Sequence, residues 1–355
     1  MTARPLPLEL APTLIAWQRV HGRHRLPWVG SRDPYRVWLS EIMLQQTQVS
    51  TVLGYYERFL QRFPDVAALA AAHQDDVLAL WSGLGYYSRA RNLHRCAQVV
   101  VDQHGGHFPG HSVALATLPG IGRSTAAAIA AFCFDERCAI LDGNVKRVLT
   151  RALGNGDDLA EGRHERALWQ QAEALLPAQD IAAYTQGLMD LGASLCSTRR
   201  PACDACPLAG LCVARAEGKP EAYPVKTRKL KRGQREHALL WLDHKDSVWL
   251  VQRPQTGVWA GLWSLPEFES DQALWDQASD WPGVGRPMPT VQHALTHFDW
   301  TLRPCHWPLP DQLSTAGRNL VENGLPSGRW VVREHALSMG LPAPIRRLLE
   351  AGPPQ

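Results

Sequence analysis

The sequence predicts two domains of different class: a mostly helical domain over residues 1–218 and an α+β domain over 236–350. Three observations carry this. Up to about residue 215, apolar residues recur at three- and four-residue spacing, as on the buried face of a helix. A basic stretch, KPEAYPVKTRKLKRGQR (219–235), then interrupts the pattern with seven Lys or Arg and one Glu. Beyond it, HALLWLD and SVWLVQR mix apolar with polar and turn residues as strands do, and nine of the fourteen Trp lie after residue 240. A chain of 355 residues suits two domains at about 100–200 residues each.

The elements follow in order. Helical spacing covers Pro34–Arg62, Asp75–Trp81, Ser88–His104, Arg123–Phe134 and Val145–Ala152. Phe63-Pro64, Gly105-Gly106, Pro119-Gly120 and Gly154-Asn155-Gly156 punctuate them. No internal repeat is visible. Apolar and charged fractions of 45% and 20% exclude bulk disorder. No stretch approaches the ~18 uncharged apolar residues of a membrane span, and MTARPLPLEL lacks the apolar core of a secretory signal. A cytoplasmic, monomeric protein with no membrane partner is therefore expected.

The net charge of +3 is too mild to specify a polyanionic partner. The run at 219–235 suits a nucleic-acid backbone or a membrane surface, and a solvated linker equally well. Of eight Cys, the scattered Cys96, Cys133, Cys138 and Cys305 read as small core residues. Cys196, Cys203, Cys206 and Cys212 have the spacing C-x6-C-x2-C-x5-C, a density that points to a metal centre. A four-Cys zinc site is usually built from two C-x2-C knuckles, and here there is one. The spacing leans towards a [4Fe–4S] cluster in the 196–212 loop, with zinc the competitor. Such a centre would hold Arg199 and Arg200 where they can meet phosphates.

LPGIGRST (118–125) enters an Ala-rich helix. Gly120 and Gly122 permit close backbone approach, and a helix start offers unpaired N–H groups to a phosphate. Two carboxylates stand out. On a helix, Glu41 has Val37, Trp38, Leu44 and Gln45 as neighbours, a mostly apolar surround that raises a carboxyl pKa. Asp142, in LDGNVK, reads as a helix N-cap whose backbone donors favour the ionised form. Two carboxyls with pKa values pushed apart suit acid-assisted glycosidic cleavage.

VWLSEIMLQQTQV (37–49), GLGYYSRARNL (83–93), LPGIGRSTAAAI (118–129), LDGNVKRVL (141–149) and the four-Cys pattern together resemble the helix–hairpin–helix DNA glycosylases that carry an iron–sulfur cluster. Within them the chain is similar to the adenine DNA glycosylase (MutY) family rather than to endonuclease III. The resemblance implies a hairpin at about 112–134, a [4Fe–4S] cofactor, and base excision repair on double-stranded DNA holding adenine opposite 8-oxoguanine or guanine. It also implies residence on the nucleoid. Endonuclease III-like enzymes carry a nucleophilic Lys where this chain has Ser124, and serine cannot form an imine. The resemblance therefore implies base removal without strand cleavage.

It further implies roles for single residues. Glu41 matches the general acid that protonates adenine at N7, and Asp142 the anion that stabilises the sugar cation. Gln45 matches a wedge that fills the gap left by the extruded base, and Tyr86 an aromatic that intercalates beside the damaged guanine. Leu26 and Trp28 match positions near the adenine pocket. Gly120, Gly122, Ser124, Asn144, Lys146, Arg199 and Arg200 are expected to contact DNA, Lys146 through a phosphate.

RPQTGVWAGLWSLPEF (253–268) resembles the start of a Nudix-type fold. The following EFESDQALWDQASDW lacks the Glu-rich helix with which a Nudix hydrolase holds metal, so the second domain is expected to bind rather than to hydrolyse. In the adenine glycosylase family it recognises 8-oxoguanine through a Phe-Ser-His loop. The matching QHALTHFDW offers Thr296 and His297, with Leu295 in place of the aromatic. The competing readings are an endonuclease III-like pyrimidine glycosylase/lyase, a catalytically silent damage-binding protein and a Nudix nucleotide hydrolase.

Overall fold

A computed structural model describes residues 6–227 and 231–353. The chain divides into two compact units, one of Met1–Tyr56, Phe63–Ala70 and Arg95–Lys229, the other of Glu57–Arg62, Ala71–His94 and Leu230–Gln355. This differs from the single cut that the sequence suggests. Residues 71–94, helical and early in the chain, pack with the C-terminal sheet. Their apolar Leu78, Trp81 and Leu84 are buried. Trp263 Nε1 donates to Asp75 at 3.2 Å, Tyr87 Oη to the Leu341 carbonyl at 3.1 Å, and Arg91 to the Ala260 carbonyl at 2.7 Å.

The helices in chain order are α1 (Leu10–His21), α2 (Pro34–Leu44), α3 (Val49–Arg62), α4 (Val66–Ala70), α5 (Gln74–Trp81), α6 (Ser88–His104), α7 (Ser112–Leu115), α8 (Arg123–Phe134), α9 (Gly143–Leu153), α10 (Gly162–Ala174), α11 (Ile181–Ala193) and α12 (Val213–Ala216). The helical spacing over 34–62 is broken in the middle. The polar run QQTQ has no apolar residue to continue a buried stripe, Gln45 leaves helical geometry at ψ 113°, and Gln46 is left-handed at φ 56°. At the other end, Asp33 caps α2 by accepting from the Tyr35 N–H at 2.9 Å, with Pro34 in the first turn. That cap fixes where Glu41 falls on the helix.

In the first unit the middle of α8 is buried, and its run Ala126–Ala131 lets neighbouring helices approach closely. α1, α9 and α11 close the core with Leu10, Leu14, Val145, Leu149, Leu188 and Leu191.

The second unit is built on an eight-stranded mixed sheet: β1 (Gly233–His244), β2 (Ser247–Gln252), β3 (Trp263–Ser264), β4 (Glu267–Phe268), β5 (Arg286–Pro287), β6 (Val291–Ala294), β7 (Phe298–Pro308) and β8 (Gly328–Val332). β1 and β7 run parallel, from Gly233 opposite Phe298 to Asp243 opposite Pro308, and the other pairings are antiparallel. Helices α13 (Asp271–Gln277), α14 (Thr315–Asn323), α15 (Arg333–Ala336) and α16 (Ala343–Ala351) complete it. Ala238–Leu242 are all buried, as in a strand covered on both faces. The tryptophans serve a core of Trp249, Trp281 and Trp307 with Leu240, Leu242 and Val321.

The basic stretch at 219–235 is not wholly a linker, because Gly233–Arg235 already pair with Phe298–Trp300 in the sheet. Its residues 228–230 lie outside the described ones. Among the described residues no helix is long and apolar enough to cross a membrane.

Candidate active site

A cavity of about 920 Å³ opens in the helical unit. Glu41 from the last turns of α2 and Asp142 at the start of α9 both line it, as do Leu26, Trp28 and Asn144. Trp28 is buried and stands edge-on to Tyr56 at 5.2 Å between ring centroids, a rigid apolar wall for a planar ligand.

Glu41 is half-buried and faces this cavity, and the packing around its carboxyl desolvates it. Desolvation pushes its pKa up to about 8, and the nearby charge of Asp142 pushes the same way. At neutral pH it is an acid holding its proton.

Asp142 is the N-cap of α9, its Oδ1 accepting from the Val145 N–H at 2.7 Å. The sequence suggests that backbone donors hold this carboxyl ionised. In the structure burial dominates and raises its pKa, while the Val145 and Asn144 N–H groups and the Arg147 and Lys146 cations oppose the rise. The asymmetry survives in another form: backbone donors and two cations favour the charged form of Asp142, whereas both influences on Glu41, burial and the charge of Asp142, disfavour its charged form.

The hairpin is α7, a tight loop and α8. Leu118 and Ile121 plug into the core, Gly120 takes φ 76°, and Gly122 caps α8 without a side chain. Gly120 and Gly122 are exposed, so the N–H groups of the first turn face outward. Ser124 is half-buried, and its Oγ accepts from the Leu141 N–H at 3.0 Å, tying the hairpin helix to the residue before Asp142. Lys146 departs from its expected role, because its ammonium is ion-paired with Glu165 on α10. Asn144 sits in the cavity wall, where its Oδ1 accepts from Arg147 at 2.9 Å.

Gln45 ends α2 and is not among the residues lining the cavity, whereas Leu44, Thr47 and Gln48 are. Tyr86 belongs to the other unit. It is 44% exposed and left-handed at φ 48°, with the Arg89 guanidinium 5.5 Å from its ring centroid. An outward-held aromatic in strained backbone suits a probe of stacked bases. Thr296 and His297 are exposed at the turn between β6 and β7.

Cys196, Cys203, Cys206 and Cys212 are all half-buried free thiols in one loop region. Burial pushes the Cys206 thiol up to about 11, and charges on Cys196, Cys212 and Cys203 would push it further. Four half-buried thiols in one loop region, two of them with thiolates disfavoured by burial, form a donor set that a cationic centre would compensate. Among the described residues no three His, Cys, Asp or Glu side chains are grouped to hold a single metal ion. A set of four Cys thiolates is the donor set of an iron–sulfur cluster and equally of a tetrahedral zinc site. Arg199 and Arg200 on this loop are exposed, and the Arg200 N–H donates to Glu221 at 2.6 Å.

Sequence reasoning missed several polar residues of the cavity. Gln18, Arg23, Arg147 and Gln186 all line it. A signal for one of them was Gln186 with Asp190, one turn apart on a mostly apolar helix.

Two family models match the chain: HhH-GPD superfamily base excision DNA repair protein over residues 39–174, and NUDIX domain over 237–351. An adenine DNA glycosylase of Buchnera aphidicola subsp. Acyrthosiphon pisum is 35% identical over 340 residues, covering 95% of each chain. One from Rattus norvegicus is 33% identical, covering 90% of this chain and 73% of its own. Among solved structures, a thermostable thymine-DNA glycosylase aligns with TM-score 0.53 at 28% identity, covering 58% of this chain and 95% of its own.

Proposed function

The chain belongs to the adenine DNA glycosylase family, and we propose that it removes adenine lying opposite 8-oxoguanine or guanine by hydrolysing the N-glycosidic bond, without cutting the strand. The observation that carries this reading is a protonated carboxyl, Glu41, sharing one cavity with a carboxyl ringed by donors and cations, Asp142.

Adenine is a poor leaving group until a ring nitrogen is protonated. Glu41 donates its proton to N7 of the extruded base, a form of catalysis worth typically ~10²–10⁴-fold. The C–N bond breaks, the neutral base departs, and the sugar is left as an oxocarbenium-like cation. Asp142 stabilises that cation. A charge pair at about 4 Å is worth roughly 4 kcal/mol at an effective dielectric near 20. Glu41, now anionic, takes a proton from the attacking water. Ser124 has no amine to attack the sugar, and Lys146 is engaged by Glu165, which disfavours the endonuclease III-like alternative.

Cys196, Cys203, Cys206 and Cys212 would hold a [4Fe–4S] cluster. When bound it would tie the four Cys into one rigid frame for the loop that bears Arg199 and Arg200. Those arginines, the first turn of α8 and the outward face of Tyr86 are the surfaces we assign to DNA. Gln45 retains only a wedge role at the end of α2, outside the base cavity.

The decisive experiment is incubation with duplexes carrying A:8-oxoguanine, A:G and oxidised pyrimidines, each with and without alkali. Base loss confined to the two adenine mispairs, with nicking only after alkali, is the expected result. Nicking without alkali, or loss of pyrimidines, would reverse the reading.

The second unit is proposed to read 8-oxoguanine with Thr296 and His297. α13, the helix after the Nudix-like segment, is DQALWDQ and has no Glu pair for metal, and its Asp271 is bound to Arg303. Removing one specific hydrogen bond costs about 1–3 kcal/mol, so His297→Ala is expected to lower the preference for A:8-oxoguanine over A:G by about tenfold or more. The ratio is read by single-turnover excision at fixed salt. A point variant is better than truncation, because residues 71–94 pack in the same unit as the sheet. Equal loss on both duplexes would make the turn a general affinity contact.

A further inference from the structure

A second polar cluster reaches the base cavity from α11. Asp190 is fully buried and does not itself line the cavity, but Arg23 and Gln186 do. Its carboxylate accepts from the Arg23 backbone N–H at 2.9 Å, from Arg23 Nε at 2.7 Å and from Gln186 Nε2 at 2.8 Å. Gly22 lets the chain pass close enough for this: a Cβ there would lie 2.5 Å from the Gln18 carbonyl oxygen and 3.1 Å from Asp190 Oδ2.

The cluster fixes the orientation of an amide. A carboxylate paired with the Arg23 guanidinium only accepts, so Gln186 must turn its NH₂ towards Asp190. The reversed amide would set two oxygens against each other at hydrogen-bond distance. Gln186 Oε1 is then the uncommitted end, and it accepts no hydrogen bond from the described protein residues.

We propose that Asp190 is a positioning residue that sets purine selectivity. By holding the nitrogen of Gln186 it commits Gln186 Oε1 as an acceptor in the base cavity. That acceptor matches the exocyclic amine of a 6-aminopurine and opposes the oxygen of a 6-oxopurine. Glu41 cannot make this distinction, because both purines offer N7 to its proton. The inference rests on the cavity being the site of adenine excision.

The test compares duplexes with deoxyadenosine or deoxyinosine opposite 8-oxoguanine. Asp190→Asn keeps the shape but allows the reversed amide: its oxygen can keep the Arg23 backbone N–H while its NH₂, at the Oδ1 position, donates to Gln186 Oε1 and gives up the bond from Arg23 Nε. The ratio of single-turnover excision rates, adenine over hypoxanthine, is expected to fall at least tenfold, as when a buried polar group is left without its partner. Affinities for the same duplexes, measured in a Glu41→Gln background, give the ratio where inosine is not cut. Gln186→Met, which removes the amide and leaves Asp190 bound by Arg23, is expected to lower the ratio too, and it decides the matter if Asp190→Asn does not fold. An unchanged ratio, or equal loss on both bases, overturns the proposal. A wild-type protein that removes no adenine would instead sink the reading beneath it.

Discussion

Glu41→Gln is expected to lower single-turnover adenine excision by at least the ~10²–10⁴-fold that general acid catalysis supplies, and to leave affinity for the mispaired duplex nearly unchanged. The amide fills the same space on α2 but has no proton to give. The pH dependence follows from the raised pKa. The competent form is protonated Glu41, so activity is held below pH 8 and lost as pH rises through about 8. An ordinary glutamate, with a pKa near 4.5, would lose its proton some three units lower.

The same shift makes a stability prediction of known sign. A carboxyl whose folded pKa is raised above its unfolded value binds protons better when folded, so folding stability falls as pH rises from about 4.5 to about 8. Gln at this position has no such dependence. Glu41→Gln is therefore expected to melt higher than the wild type at pH 9 and to lose that advantage near pH 4. A catalytically dead variant that is more stable only at high pH would separate loss of the acid from damage to the fold. Residual excision within tenfold of wild type, or melting differences flat with pH, would remove Glu41 from the role of acid.

What the sequence made legible was local. Ser88–His104 and Arg123–Phe134 match their helices to the residue, because glycine and proline punctuate one chain segment at a time. The apolar setting of Glu41 was visible because its neighbours are three and four positions away on one helix. Features that depend on distant partners were not. Lys146 reads as a free cation until Glu165, on another helix, takes it. Asp142 reads as a cap that stays ionised, and only the folded packing shows burial outweighing its donors. Arg23 and Asp190 are 167 residues apart, so no spacing rule joins them. The assignment of residues 71–94 to the sheet's unit likewise depends on pairings such as Tyr87 with Leu341, 254 positions on.

Cys203→Ser is expected to have the second large effect, on DNA affinity rather than on chemistry. The wild-type protein, prepared without oxygen, should be brown and contain about four iron per chain. The argument starts from how little regular structure holds the 196–212 region. Between Ala193 and Val213 there is only one short turn of 3₁₀ helix, at Cys203–Ala205. A few hydrogen bonds brace its ends, including those from the buried Arg151 to the Ser197 and Thr198 carbonyls at 2.7 and 3.1 Å. Cys203, Cys206 and Cys212 lie beyond that brace in a stretch anchored to the core chiefly through Leu208, so a centre bound by the four thiolates would add the main cross-link between its two ends. Removal of one ligand loosens the loop on the far side of Arg199 and Arg200, which then hold their place against phosphates less well, by the Arg151 brace and the Arg200 N–H bond to Glu221 alone. With two cations withdrawn from the phosphates, binding weakens and its dependence on salt flattens by about 0.9 per phosphate in log–log slope. Glu41 and Asp142 sit on α2 and α9, outside the loop, so the rate at saturating protein should change much less than the affinity. Metal analysis with one zinc and no iron would replace the cluster with a different centre. Iron-free protein with wild-type affinity and salt slope would show that the loop needs no metal to meet DNA.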